Sequence, residues 1–178
     1  MTGGAMIDTK KAQRRELTYD DLEAFARDVE AVRAAHDAGT LAHTGNWNAG
    51  QCFWHLATFM RMSMDGFPDQ KPPFLLRFLG KHVFKKLALS GKPAKPGFKL
   101  PAEVAWLDPV ASGVGSFEEG YEPLKAVIDR YLAGERFTQD SPIFGPLSHE
   151  QWCVLHRGHN AMHMAFQHPT GVEGAGAV

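Results

Sequence analysis

Histidine is the residue type with the most chemistry to offer in this sequence. There are nine, and five fall between His149 and His168 in the stretch LSHEQWCVLHRGHNAMHMAFQHP. An imidazole can serve as a general base, a proton shuttle or a metal ligand. His156, His159 and His163 are spaced by three and four residues, so a helix would bring them to neighbouring positions on one side. Histidines at i and i+4 can hold one ion from a single helix. With His159 set at zero on a helical wheel, Trp152, Leu155, His163 and Phe166 fall within about 40° of it, and His156 at about 60°. This spacing predicts His159 and His163 in the middle of an apolar face, with His156 at its edge. Buried imidazoles need hydrogen-bond partners or a metal.

The natural third partner is His55, in NWNAGQCFWHLATF, the other histidine set inside a strongly apolar helical stretch. His55, His159 and His163 are therefore the candidate metal ligands. Three protein ligands leave a coordination position open, the catalytic rather than the structural arrangement. An ion there would lower the pKa of a bound water or thiol, or polarise a carbonyl. The bland alternative is a set of hydrogen-bonded core histidines, with His55 bonded to a backbone carbonyl. HNAMH is not a zincin motif, because Asn160 stands where that motif has glutamate.

Several neighbours are candidates for supporting roles. Ligand imidazoles need their second nitrogen oriented, and Asn48, Gln51 and Gln167 are the polar residues placed to do so. Asn48 reads equally as a helix cap. Gln51 and Trp152 are the expected lining of a binding pocket. Gly158 would let another backbone or a ligand approach closely. Cys52 and Cys153 each precede a histidine by three residues, which also raises a mixed Cys/His zinc site. On the wheel, however, Cys153 lies off the His159/His163 face, and Cys52 reads as a small apolar filler. No catalytic residue beyond the ligand set emerges.

The elements that must position these residues are helical. Thr18 reads as the cap of a first helix ending at Gly39, with Leu22, Phe25, Ala26, Val29 and Val32 on its apolar stripe. Asn48 and Gly66 bound the second, which is apolar over much of its girth and so buried on more than one side. Pro73 opens a third, from Phe74 to Leu89. Ser116 and Glu119 form a capping box for a helix reaching Leu132. Pro123 marks either its regular start or a kink. Ser148 and Gln151 cap the last, which runs to about Gln167. Prolines and glycines hold residues 90–115 out of long helices, and a connection of that length can join two parallel helices of a bundle. The expected fold is all-α: a four-helix bundle with an additional basic helix and a long crossover connection. It forms one domain over residues 1–178, with 1–16 and 169–178 expected to fray.

Composition narrows the function classes. The chain has 178 residues, 44% of them apolar, and a net charge of −1. That is enough for a sizeable core, and no global field favours nucleic acid. Two cysteines make no disulfide framework. The amino terminus does not read as a secretory signal, and no stretch approaches the roughly 20 apolar residues of a membrane span. A soluble cytoplasmic protein is expected. One segment departs from neutrality: Lys71, Arg77, Lys81, Lys85, Lys86, Lys92, Lys95 and Lys99 face no acid between Gln70 and Ala102. It reads as a solvated face, or else as an anionic-substrate gate or membrane-surface patch.

GNWNAGQCFWHL and FGPLSHEQWCVLHRGHNAMHMAFQ, with RREL near the start and KPGFKLP in the crossover, resemble the DinB-like superfamily, most closely its DUF1569 branch. The resemblance covers roughly residues 12–168. It implies an up-down-down-up four-helix bundle and a divalent metal held by His55, His159 and His163. In better understood relatives such a centre activates thiols, in S-transferases and an isomerase. The sequence departs from the wider pattern where adjacent histidines and an arginine follow the second ligand, because Met162, Met164 and Ala165 stand there.

The reading that follows is a metal-dependent enzyme whose three-His centre activates a thiol or water against a small electrophilic substrate. Zinc, nickel or iron would suit the site, with a low-molecular-weight thiol as co-substrate. The alternatives are a non-catalytic helical protein that binds a metal or a small apolar ligand, and a structural bundle that forms a homodimer.

Overall fold

The computed structural model describes residues 7–69, 72–97 and 106–170, which are mostly helical. The first helix, α1 (Leu22–Asp37), starts later than the sequence reading placed it. Its cap is Asp21, whose carboxylate accepts from the Ala24 amide at 2.6 Å. Thr18 cannot cap because the next residue is drawn inward: Tyr19 is buried and its hydroxyl donates to Asp28 at 2.6 Å.

Helix α2 (Ala49–Asp65) opens with a complete capping box. Asn48 Oδ1 accepts from the Gln51 amide, and Gln51 Oε1 accepts in return from the Asn48 amide. The basic segment is not the single helix that its periodicity predicts. It is divided into α3 (Phe74–Leu79), a widened π turn over Gly80–Phe84, and α4 (Lys85–Ala88). The wide turn begins at the glycine that seats the segment on the body, where a Cβ would collide with Ile143.

Helix α5 (Glu118–Leu132) follows Phe117, and the foreseen Ser116/Glu119 pair forms just before it, the Glu119 carboxylate accepting from the Ser116 amide at 2.7 Å and Ser116 Oγ from the Glu119 amide at 3.3 Å. Pro123 lies inside this helix rather than at its start. Helix α6 (His149–Met164) is capped reciprocally by Ser148 and Gln151. Two short strands, β1 (Ala42–His43) and β2 (Gln167–His168), pair antiparallel with Ala42 opposite His168. Two residues are too few for an alternating pattern to announce. The pair ties the end of α6 to the loop before α2.

Helix α2 packs on α5 and α6, and α1 packs on the same two. The α2–α5 crossing is close because glycines meet there. A Cβ on Gly120 would fall on the Gly50 backbone, and one on Gly50 would fall on the Ser116 carbonyl. The core that results holds Phe25, Phe53, Leu56, Met60, Leu124 and Trp152, each essentially inaccessible to solvent. Burying each such side chain contributes about 1.5–3 kcal/mol before entropy is counted. The connection after α4 returns onto α6 at Gly158, where a Cβ would strike the Lys92 carbonyl. Of the two close approaches foreseen for Gly158, the one observed is to another backbone.

Hydrogen bonds tie the stretch before α1, from residue 7 onward, to the body. The Arg15 amide donates to the Ala165 carbonyl at 2.8 Å, and the Arg15 guanidinium grips Asp28 with two bonds of 2.8 Å. Such a bidentate, partly buried pair holds better than an exposed one. Residues 1–6 and 171–178 lie outside the described residues. Among the described residues, no helix is long and apolar enough to cross a membrane.

Candidate metal centre

Two helices bring the three histidines together. Helix α2 carries His55 in the middle of its length, beside the buried Cys52 and Leu56. Helix α6 carries His159 and His163 one turn apart. One ring nitrogen from each of the three lies within 4.8 Å of the others. Among the described residues this is the group of histidine, cysteine and carboxylate side chains arranged to hold an ion.

His55 is buried, and its tautomer is set by the backbone. Its Nδ1–H donates to the Leu107 carbonyl at 2.7 Å. That leaves the lone pair on Nε2, which lies 3.3 Å from His159 Nε2. A tetrahedral ion with nitrogens at about 2.1 Å separates its ligands by about 3.4 Å, so this edge has the length that such an ion requires. The carbonyl also plays the part that ligand imidazoles ask of their surroundings, orienting the ring through its second nitrogen. The hydrogen bond from His55 to a backbone carbonyl, foreseen as the bland alternative, is thus compatible with either reading.

Aromatic rings fill in around the cluster. Trp47 stacks on His163 with centroids 5.3 Å apart and planes 9° from parallel. Phe59 meets His159 edge-on at 5.0 Å. Burial pushes the His55 imidazole down to about 4, against the upward pull of the Leu107 bond and of Asp108. Burial, together with the neighbouring imidazoles, holds His159 and His163 well below the usual histidine range. All three are neutral near pH 7, the form that a metal takes up.

His156 is not at the edge of the apolar face as the wheel placed it. It is fully buried. The connection before α6 lays Phe137 over it, with centroids 4.7 Å apart, and Trp152 stacks on its other side at 5.3 Å. Ser63 Oγ donates to the Met60 carbonyl at 2.6 Å and so accepts from His156 Nε2–H at 2.9 Å. Burial pushes His156 down to about 3.

The other residues singled out from sequence have places of their own. The Gln51 side chain completes the α2 cap, and its amide donates to the Val114 carbonyl at 3.1 Å. Trp152 is buried against Phe59, Phe67 and His156, its indole N–H donating to the Gln139 carbonyl at 2.9 Å. Gln167 reaches the Trp47 carbonyl at 3.4 Å. Cys52 is buried, its thiol pushed up to about 12 by that burial. Cys153 lies 3.6 Å from His149 Nε2, away from the triad. Neither cysteine belongs to the three-histidine group. Sequence reasoning foresaw a backbone carbonyl on His55 without saying which, and missed Ser63 and Trp47, which meet their histidines only when α2 and the residues before it fold against α6.

The fold and the site together define a mostly helical protein in which three imidazoles converge from two helices in a geometry compatible with a metal ion. The family model DUF1569, described as a protein of unknown function, matches residues 11–170, and the chain belongs to that family. No curated protein and no solved structure matches it.

Proposed function

We propose that the chain is a metal-dependent enzyme of the DinB-like type, with His55, His159 and His163 holding one divalent ion. The observation that carries this reading is the meeting of three neutral imidazoles within 4.8 Å, one of them oriented through a backbone carbonyl. The Nε2 atoms of His55 and His159 face each other at 3.3 Å inside an aromatic collar, a pair that a shared proton or a shared ion satisfies.

The topology proposed with it is the up-down-down-up bundle. Support comes from the long connection between α2 and α5, which bears α3 and α4, and from the packing of α2 on both α5 and α6. When bound, the ion would supply Lewis-acid activation of a thiol or water against a small electrophile. The chain's own residues do the rest. Leu107 fixes the His55 tautomer, Trp47 and Phe59 limit ring rotation and shed water, and α2 and α6 fix the distance between ligands. Zinc, nickel or iron suits three imidazoles, and a low-molecular-weight thiol is the proposed co-substrate.

Calorimetric titration of chelator-treated protein with Zn²⁺ tests the first step. One ion per chain is expected for the wild type, and none for His159→Ala. A thiol-transfer assay against a small alkyl halide then tests turnover, which is expected to vanish in His163→Ala. Wild-type protein that takes up no ion overturns the reading.

A further inference from the structure

The segment between α2 and α5 reverses the usual rule for a surface helix. Of the nine large apolar side chains exposed among the described residues, six stand on it: Phe74, Leu75, Phe78, Val83, Phe84 and Leu87. Phe74 is 78% exposed and Leu87 67%. What the segment turns toward the body is Pro72, Gly80, Lys85 and, at the end of α4, Ala88 and Leu89, which pack against the core. A Cβ on Gly80 would collide with Ile143, and the Lys85 ammonium donates to the Pro146 carbonyl at 2.8 Å. An amphipathic surface helix ordinarily buries its apolar stripe. Here that stripe faces outward, and contiguous exposed apolar patches mark interaction sites.

Charge selects the partner. Arg77, Lys81 and Lys86 are exposed on the same segment, with exposed Lys92 and Lys95 following in the chain, and no Asp or Glu lies between Gln70 and Ala102. A second copy docking through the same face would set these cations against their own counterparts, since such an interface is self-complementary. An anionic bilayer meets both requirements. Phenylalanine and leucine enter the boundary between headgroups and acyl chains, while lysine and arginine meet the headgroups.

We propose that residues 72–97 form a membrane-surface arm that binds anionic phospholipid bilayers. The apolar side chains supply depth, and each basic residue near the surface adds about fivefold in binding. The proposal is independent of the metal centre, since none of the three histidines lies on the arm.

Co-sedimentation of the full chain with vesicles tests it, using phosphatidylcholine alone and phosphatidylcholine mixed with phosphatidylserine. Expected is pelleting with the mixed vesicles, little with the neutral ones, and release as salt screens the charges. Phe74→Ser with Phe78→Ser should weaken binding at least about tenfold, as should Lys81→Glu with Lys86→Glu. Both pairs of side chains are exposed, so the melting temperature should hold, which separates lost binding from lost folding. Failure to pellet with mixed vesicles, equal pelleting with neutral ones, or undiminished binding by the phenylalanine variant each overturns the proposal. So does sedimentation velocity showing that the phenylalanine variant turns a dimer into a monomer while vesicles bind neither form, which would assign the patch to a second copy.

Discussion

His156 and His159 sit three residues apart on α6, yet their surroundings differ in kind. His156 is sealed between Trp152 and Phe137 and bonded to the hydroxyl of Ser63. His159 faces two further imidazoles and is half-buried. The first is a core residue that happens to be polar. The second belongs to a cluster whose nearest polar atoms are the ring nitrogens of two further histidines. Both keep a buried Nδ1 without a partner, so the difference lies at Nε2, which meets a hydroxyl in one and another imidazole in the other.

Acid should bring the largest loss of stability. His156 is pushed down to about 3 in the folded chain and returns to the ordinary value of about 6.5 when unfolded. Between those values the unfolded state binds the extra proton. The stabilising contribution is therefore complete above about pH 6.5 and is lost as pH falls toward 3, by up to about 5 kcal/mol. His55, pushed down to about 4, and His159 and His163, held well below the usual range by burial, add to the same slope. Urea unfolding followed from neutral to acid pH checks this, and His156→Gln should remove part of the slope. Wild-type stability that stays flat across this range would mean that these imidazoles are not buried as described.

Metal should separate the two sites. At a hundredfold excess over Kd, Zn²⁺ is expected to stabilise the wild type by about 3 kcal/mol, which raises the melting temperature of a chain this size by about 8 °C. The shift should survive His156→Gln and vanish in His159→Ala. Thermal scans with and without the ion decide between them. If the shift vanishes in His156→Gln instead, the roles assigned to the two histidines are reversed.

A smaller effect is expected at Ser63. Removing its hydroxyl leaves a buried imidazole N–H without an acceptor, so Ser63→Ala should cost about 1–3 kcal/mol in denaturant unfolding. Its metal-induced shift should match the wild type. The smallest effect belongs to Cys52. Cys52→Ala should leave Zn²⁺ affinity in calorimetry unchanged within about threefold, because its thiol stands outside the ligand group. A larger loss would bring back the mixed Cys/His reading.

Much of this contrast was legible in the sequence, but not all of it. Helix caps at Asn48, Ser116 and Ser148 were readable because a capping box is a local pattern. The meeting of His55 with His159 and His163 was readable because each sits at helical spacing on an apolar face. Thr18 was misread as a cap because the burial of Tyr19, a contact with Asp28 nine residues on, overrides local preference. His156 was misplaced because a helical wheel knows one helix at a time, and Phe137 arrives from a connection with no periodicity. The basic segment was misread as one helix because the seat of Gly80 on Ile143 joins positions 63 residues apart. Signals carried within a turn or two survive in sequence. Those made by distant segments meeting appear only in the folded chain.

The central claim is that one ion joins α2 to α6 through three imidazoles. An anomalous difference map from crystals of the chain grown with Zn²⁺ tests it most directly. The account predicts one strong peak about 2.1 Å from a ring nitrogen of each of His55, His159 and His163. No peak between these rings, or a peak at Cys153 and His149 instead, would contradict it.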